Sequence, residues 1–132
     1  MQFKIGEYSI EGDKKLGNKI YTKLYNLSKS QKNNPNAKSI SLVINSSKSK
    51  EGTSKNTSGK ILEYKIILIT EVEVEDFLTG SKILSQTFTS SLTYKVQDQY
   101  SETVKLENKS VENLIEKTYQ ELLIRISENI TS

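Results

Sequence analysis

Residues 63–94 constrain the fold most, because their apolar side chains alternate along two long segments that a short turn separates. A period of two along the chain predicts two strands, each with one buried face. On both sides of the turn the apolar residues fall on even numbers: Tyr64, Ile66, Leu68, Val72, Val74, Leu84, Phe88, Leu92 and Tyr94.

Two even-numbered buried faces also fix the parity of the loop between the strands. The numbers of two directly opposed residues then add up to an even number, so the loop has an odd number of residues. Leu78-Thr79-Gly80 fits, with Gly80 in the left-handed conformation that glycine adopts without strain. The predicted register places Val74 opposite Leu84 and Ile66 opposite Leu92.

Two further strands are predicted before this hairpin. Phe3 and Ile5 share one parity and Tyr8 and Ile10 share the other, so the first strand is predicted to carry a bulge at Gly6. The second strand is predicted to be short, with a buried face on one side and Val43 on the other. Its buried residues are Ile40, Leu42 and Ile44.

Helical spacing occurs in two places. Leu16, Ile20, Leu24 and Leu27 predict a helix that begins near Gly12-Asp13, with Asp13 as N-cap or first-turn acid, and that ends at Asn33-Asn34-Pro35-Asn36. A second helix is predicted to begin between Asp98 and Ser110 and to run to about Asn129. Its apolar stripe is Val111, Leu114, Ile115, Leu122 and Ile126, with Tyr100 and Val104 extending it towards the N-terminus.

The element order is therefore β-α-β-β-β-α. At 132 residues the chain is predicted to be a single domain, residues 1–132, large enough to bury a core without cross-links. One-sided strands and two amphipathic helices predict an α+β fold, a two-layer α/β sandwich with both helices on one face of a four-stranded sheet.

Residues 45–60 contain no apolar side chain and predict a flexible basic loop or an exposed hairpin tip. Two interpretations stay open for this segment. It is a solvated connector, or it is a cationic finger whose candidate ligand-binding residues are Lys48, Lys50, Lys55 and Lys60.

Charge divides unevenly along the chain. Residues 1–60 carry twelve Lys and four acidic residues, a net charge of +8, whereas residues 61–132 carry seven basic and twelve acidic residues, a net charge of −5. The basic half indicates an anionic partner such as a phosphate-bearing lipid, a membrane surface or nucleic acid, or else a solvated lysine-rich surface from an AT-biased genome. Arg125 is the only arginine, so no arginine cluster can recognise phosphate with fixed geometry.

The residue inventory argues against an enzyme. The chain has no Cys and no His, which removes the thiol nucleophile, the usual zinc ligands and the commonest general base. Glu71, Glu73 and Glu75, with Asp76 beside them, could bind a divalent cation or act as an acid and base pair, but a solvated outer face explains them as well. We expect no catalytic residue, no cofactor and no metal.

Tyrosines offer a second pair of interpretations. Four tyrosines lie on predicted core faces: Tyr64, Tyr94, Tyr100 and Tyr119. Their rings either pack in the core with the hydroxyl group in contact with water, or they form a platform that stacks against nucleic-acid bases. Tyr21 and Tyr25 are expected to flank the stripe of the first helix.

No apolar run approaches the roughly 20 residues of a membrane span, and the first residues do not open a signal peptide, so the chain as written is expected to be soluble.

Over nearly its whole length the chain resembles the LptE family, the lipopolysaccharide-assembly lipoproteins of the Gram-negative outer membrane. The similarity lies in the strand EYKIILITEVEVEDFLTG with its D-x-x-T-G turn at Asp76, Thr79 and Gly80, in LTYKV at the end of the next strand, and in the terminal helix ENLIEKTYQELLIRIS. The opening FKIGEYSIEGDKKLGNKIYTKLYNL resembles the first strand and helix of the family.

The resemblance implies a non-enzymatic protein on the periplasmic side of the outer membrane. It would plug the lumen of an LptD-like outer-membrane β-barrel protein and contact lipopolysaccharide. Family members carry a signal peptide and an acylated N-terminal cysteine, so the resemblance also implies membrane association through a lipid anchor that this chain as written lacks. The lysines named above are candidates from charge alone.

Two other function classes compete with this one. An auxiliary lipoprotein of another envelope transporter would share the same layout. A nucleic-acid-binding module is suggested by charge, but the single arginine and the predicted burial of the aromatic rings argue against nucleic acid as a partner.

Overall fold

The computed structural model describes residues 2–30 and 33–130. These residues form six elements in the predicted order: β1 Phe3–Gly12, α1 Lys14–Lys29, β2 Lys38–Lys55, β3 Ile61–Asp76, β4 Lys82–Lys95 and α2 Tyr100–Ile130. The strands make one mixed sheet in the order β1-β2-β3-β4, in which β1 runs parallel to β2 and the other neighbours are antiparallel. The predicted α+β fold is confirmed, with α1 packed on β1 and β2, and α2 on β3 and β4.

The core lies between the helices and one face of the sheet. As the alternation predicts, even-numbered side chains of β2, β3 and β4 supply the sheet side of the core: Ile40, Leu42, Ile44, Ile66, Leu68, Val72, Val74, Leu84, Phe88 and Tyr94. The helices contribute the predicted stripe residues Leu16, Ile20, Leu24, Leu114, Ile115, Leu122 and Ile126. Leu27 and Val111 are half-buried and pack against this core.

The β3–β4 register is confirmed, with Val74 opposite Leu84 and Ile66 opposite Leu92. The predicted three-residue loop was wrong by one residue. The Asp76 N–H donates to the Ser81 carbonyl at 2.8 Å, so the loop is 77–80, and a bulge restores the even register. The Asp76 carboxylate causes this, because it accepts hydrogen bonds from the backbone N–H groups of Leu78 and Thr79 at 2.9 and 3.1 Å. Gly80 has the predicted positive φ, +75°.

The β1–α1 junction follows the sequence prediction. The pairing of β1 with β2 shifts between Ile5 and Glu7, which confirms the bulge at Gly6. Asp13 is the N-cap of α1, and its Oδ1 accepts a hydrogen bond from the Leu16 N–H at 3.0 Å. The helix ends at Lys29, and the predicted turn at 33–36 follows, with residues 31 and 32 outside the described part of the chain.

The prediction of a short second strand was wrong. β2 continues through Asn45 and pairs with β3 as far as Lys55 opposite Ile61. Residues 56–60 form the turn, in which the Asn56 side chain accepts hydrogen bonds from the backbone N–H groups of Ser58 and Lys60, each at 3.0 Å. A polar segment becomes a strand here because the apolar strand β3 supplies a ladder of backbone partners, interrupted only by register shifts next to Ser54.

The C-terminal helix begins at the early end of the predicted interval, at Tyr100. Placing Tyr100 on the core face was wrong, because 83% of its surface is exposed. The buried residues of α2 begin only at Ser110, so the first turn of the helix lies on an uncovered part of the molecule. Within the described ranges, neither helix has the length and apolar character that a membrane span requires.

Gly17 lies where α1 packs closely against β1. A Cβ at this position would lie 2.4 Å from Cγ2 of Ile10. Alanine in place of glycine favours a helix by about 0.5–1 kcal/mol, but overpacking costs about 1–3 kcal/mol. We expect Gly17→Ala to lower the free energy of unfolding, measured by urea denaturation.

The same substitution in an Ile10→Ala variant tests whether the contact with Ile10 is the cause. There the Gly17→Ala substitution should lose most of its effect, because the clashing methyl group is gone. Asn18→Ala, at the exposed neighbouring position, is the matched control and should change stability little. An equal loss from Gly17→Ala in both backgrounds would contradict the assignment to Ile10.

Candidate functional site

The four candidate lysines lie along the outer half of the β2–β3 hairpin. Lys48 and Lys50 continue the even-numbered face of β2, so they lie on the same side of the sheet as the helices. Lys55 is the last residue of β2, and Lys60 belongs to the turn. At about 3.3 Å per residue, Lys50 and Lys55 are roughly 17 Å apart along the strand. The structure therefore separates them into an inner pair and an outer pair.

Lys50 is held in a cluster that joins three strands and α2. Its Nζ donates a hydrogen bond to Oε1 of Glu107 at 2.7 Å and lies 4.5 Å from the centre of the Tyr64 ring. The Tyr94 hydroxyl donates to the same Glu107 oxygen at 2.6 Å, and the Tyr64 and Tyr94 rings stack with centroids 5.8 Å apart. We call Lys50, Tyr64, Tyr94 and Glu107 the hairpin cluster.

The pKa values of the hairpin cluster follow from these contacts. Hydrogen bonds from Lys50 and then Tyr94 lower the pKa of Glu107, and the hydrogen bond to Glu107 raises the pKa of Lys50. Burial, followed by the hydrogen bond to Glu107, raises the pKa of Tyr94 to about 12. At neutral pH the cluster therefore contains a Lys50–Glu107 ion pair and a neutral Tyr94 hydroxyl group. The charge of Lys50 is thus paired within the protein.

Lys48 borders a cleft between the start of α1 and the first half of α2. The cleft has a volume of about 300 Å³ and is lined by Asp13, Lys15, Leu16, Lys19, Lys48, Asn108, Val111 and Glu112. Lys19 makes an ion pair with Glu112 across it. Three lysines and two acidic residues therefore share this space, and its net positive charge can attract an anionic group.

The outer pair is open to solvent. Lys55 and Lys60 are both exposed beside the turn, and the side chain of Glu51 is the nearest acid along β2. Neither lysine takes part in an ion pair among the described residues. With Lys48 they make up the part of the candidate set that remains available for an external ligand.

The uneven charge of the sequence is partly neutralised inside the fold. Among the described residues, four ion pairs join a lysine of residues 1–60 to an acid of residues 61–132: Lys19–Glu112, Lys23–Glu116, Lys38–Asp76 and Lys50–Glu107. Two of these pairs link α1 to α2, one links β2 to the β3–β4 turn, and one links β2 to α2. The uneven distribution of charge along the chain therefore also allows ion pairs to form within the protein.

The acidic residues of β3 lie on the outer face of the sheet, which neither α1 nor α2 covers. Glu71, Glu73 and Glu75 are exposed there. Across the described residues, no set of three acidic side chains is arranged to hold a metal ion. A shallow depression of about 330 Å³ on this face is lined mainly by polar side chains: Glu11, Val43, Asn45, Glu71, Val72, Glu73, Ser85, Gln86 and Thr87.

The tyrosines divide between the core and the surface. Tyr94 is buried, and Tyr64 and Tyr119 are half-buried against the core. Tyr21 flanks the stripe of α1 as predicted, but it also stacks on Tyr8 of β1 with ring centroids 3.7 Å apart. Burial raises the pKa of Tyr21, and the neighbouring Tyr8 and Tyr25 raise it further.

The sequence prediction missed Glu107 and the partners of Lys50. The sequence contained one signal for the position of Lys50. Lys48 and Lys50 have even numbers, as do Ile44 and Ser46 on the helix side of β2. A strand extended past Asn45 would have placed both lysines on the helix side. Glu107 itself carried no signal, because its position depends on where α2 begins.

Comparison with known proteins identifies the fold. No protein-family model matches the chain, and no curated protein matches it in sequence. Solved structures that share this fold include bacterial lipoproteins. A minor lipoprotein from Acinetobacter baumannii matches with a TM-score of 0.67 and 16% identity, covering 98% of this chain and 93% of that one.

Two further structures extend this likeness. Lipoprotein B from Nitrosomonas europaea has a TM-score of 0.65 and 16% identity, over 93% of this chain and 81% of that one. Rare lipoprotein B from Shewanella oneidensis has a TM-score of 0.54 and 17% identity, over 96% and 94%. The whole chain therefore has the fold found in these lipoproteins.

Removing the Glu107 charge tests the hairpin cluster. We expect Glu107→Gln to lower the free energy of unfolding by about 1 kcal/mol at neutral pH, since the cluster is only partly shielded from solvent. Because folding lowers the pKa of Glu107, its contribution is complete above the ordinary value of about 4.3 and disappears as the pH falls through the folded value.

Urea denaturation from pH 7 down to pH 3 measures this difference. The wild type and Glu107→Gln should converge in stability at the acid end. Glu102→Gln, another glutamate of α2 that pairs with an exposed lysine, is the matched control and should change stability less. A difference that stays constant over the whole pH range would show that the carboxylate charge contributes nothing.

Proposed function

We propose that this chain is a non-enzymatic component of lipopolysaccharide transport and assembly at the outer membrane. In this proposal it binds inside an LptD-like β-barrel protein, on the periplasmic side, and contacts lipopolysaccharide. The observation that carries the proposal is the whole-length likeness of the fold to bacterial lipoproteins, among them rare lipoprotein B. The sequence resemblance to the LptE family supports the finer assignment.

The surface chemistry suits a plug. The lumen of a large outer-membrane barrel is polar, so a protein that fills it needs a hydrophilic exterior on all sides. The uncovered face of the sheet offers hydroxyl and acidic side chains, for example Glu71, Glu73, Thr87 and Thr89, all exposed. Such a partner would be held by shape and by polar contacts, a role that requires no catalytic group.

Lipopolysaccharide carries anionic groups, and the lysines of the hairpin are the proposed contacts. Lys48, Lys55 and Lys60 have the charge and the accessibility for this role. Lys50 is assigned a different part, because its ammonium group is paired with Glu107 and covers the Tyr64 ring. In the proposal Lys50 stabilises the hairpin that presents the other three lysines.

Co-purification tests the assembly. A tagged chain is co-expressed with the LptD-like barrel of the same genome and isolated from detergent-solubilised outer membranes. We expect the barrel to elute with the chain in a stoichiometric complex, since a plug and its barrel form an extensive interface. An unrelated outer-membrane barrel expressed at the same level is the control. Recovery of the chain alone, or with components of another envelope transporter, would refute the proposal.

Charge neutralisation tests the lipid contacts. The triple variant Lys48→Gln, Lys55→Gln, Lys60→Gln should bind lipopolysaccharide at least about tenfold more weakly, because each lysine near an anionic surface contributes about 1 kcal/mol. Binding is measured by fluorescence titration with purified lipopolysaccharide at several salt concentrations, and the salt dependence should also decrease.

The control for this variant has the same net charge. Lys29→Gln, Lys82→Gln, Lys117→Gln removes three exposed lysines that lie away from the hairpin tip. We expect it to bind nearly as the wild type does. If the two triple variants bind equally well, the hairpin lysines are not the lipid contacts, whatever the result with the barrel.

A further inference from the structure

The outer edge of β4 has unpaired backbone groups along most of its length. β4 is the last strand of the sheet, and among the described residues β3 is its only neighbour. The Val96 N–H donates to the Leu62 carbonyl, so in the observed register the even-numbered residues of β4 bond to β3. The odd-numbered residues direct their N–H and C=O groups outward: Ser85, Thr87, Thr89, Ser91 and Thr93.

Within the described part of the chain, no other contact satisfies these groups. Over residues 2–30 and 33–130, no hydrogen bond outside the β3 ladder engages the backbone of the five outward residues. All five side chains are exposed hydroxyl residues, and three are threonine, which favours a strand. The edge is therefore preformed for the addition of another strand.

β4 also lacks the features that usually prevent such addition. Residues 83–94 contain no charged residue, no proline and no glycine. The opposite edge, β1, is shorter, carries a bulge at Gly6 and includes the charged residues Lys4, Glu7 and Glu11. Natural sheets protect exposed edges with such bulges and charges. One edge of this sheet is protected and the other is left available.

We propose that a second copy of this chain pairs along the edge, with the two β4 strands antiparallel about a twofold axis at Thr89. The result is a continuous eight-stranded sheet with all four helices on one face. A second copy fits because the edge is complementary to itself. With Thr89 opposite Thr89, every outward residue meets a hydroxyl residue, Ser85 with Thr93 and Thr87 with Ser91, and such cross-strand pairs are favourable.

The charges agree with this register. Lys82 and Lys95, which border the uncharged stretch, come to lie opposite Val96 and Ile83, so no two lysines oppose each other directly. Like charges in directly opposed positions would disfavour the pair. A register shifted by one residue would place Lys82 opposite Lys95 and would turn the outward backbone groups away from their partners.

The flank of α2 above β4 provides a second complementary surface. Ile124 is 57% exposed and borders a shallow depression with Gln86, Phe88, Glu121 and Arg125. The twofold axis brings the α2 helices of the two copies side by side and antiparallel. Because α2 packs on both β3 and β4, its axis lies inside the edge, which allows the usual helix separation of about 8–10 Å.

This helix contact would cover Ile124 and complement the charges. The hydroxyl oxygens of Ser90 and Thr118 are 3.3 Å apart, so the axis at Thr89 passes close to Thr118 of α2. Lys117 and Glu121 flank this position one turn apart, so in an antiparallel pair Lys117 of each copy comes near Glu121 of the other. The apolar side chain and the alternating charges are consistent with the same occupant as the strand edge, which is a second copy.

Proline at the centre of the edge tests the strand pairing. Thr89→Pro removes an outward N–H and leaves the β3 ladder intact, since Thr89 does not bond to β3. Sedimentation equilibrium of the purified chain should show a concentration-dependent dimer for the wild type, and Thr89→Pro should weaken the dimer at least about tenfold. Thr89→Val keeps the N–H and should dimerise as the wild type does. Circular dichroism checks that each variant is folded.

Site-directed spin labels test the register. The chain has no cysteine, so a single introduced cysteine is labelled uniquely. Labels on Thr89→Cys should lie close together in the dimer, at backbone separations of about 5.5 Å. Labels on Ser85→Cys should be separated by roughly 27 Å along the strands, which is eight residues at about 3.4 Å each.

Three results would overturn the proposal: a wild type that stays monomeric at every concentration, a dimer that Thr89→Pro leaves unchanged, or label distances that place position 89 far from the twofold axis. The purified chain is studied alone in these experiments. Their outcome is therefore independent of whether the barrel complex is recovered.

Discussion

The double pairing of β3 is the constraint on which the rest of the structure depends. Its odd-numbered residues bond to β2 and its even-numbered residues bond to β4, so both neighbours are locked in register. This places the even-numbered side chains of three strands beneath the helices. A one-residue slip of β3 against both neighbours would expose Ile66, Leu68, Val72 and Val74 together, at about 1.5–3 kcal/mol for each side chain.

The sequence predicted the fold wherever apolar side chains carried the pattern. The even-numbered residues of β3 and β4, the stripe of α1 and the Asp13 cap were all visible in it. The extension of β2 was not, because residues 45–60 have no apolar side chain and are ordered by β3 rather than by their own burial. The turn at Asp76 was mispredicted by one residue, since a side-chain hydrogen bond rather than strand parity determines its length.

For the candidate site, the residue types could be predicted from the sequence, but their partners could not. It identified four lysines and an excess of charge in one half of the chain, yet Lys50 proves to be paired with Glu107, more than fifty residues away. Pairings across such separations depend on the packing of α2 against the sheet. The four ion pairs between the halves show that an uneven charge distribution can serve folding as well as binding.

The parallel alignment of β1 with β2 gives the molecule two distinct ends. Phe3, the 77–80 loop and Ile130 lie at one of them, whereas the 56–60 turn lies at the other. β2 spans 18 residues, so the ends are on the order of 50–60 Å apart. In a molecule held at the Phe3 end, the positively charged 56–60 turn would therefore lie far from the point of attachment.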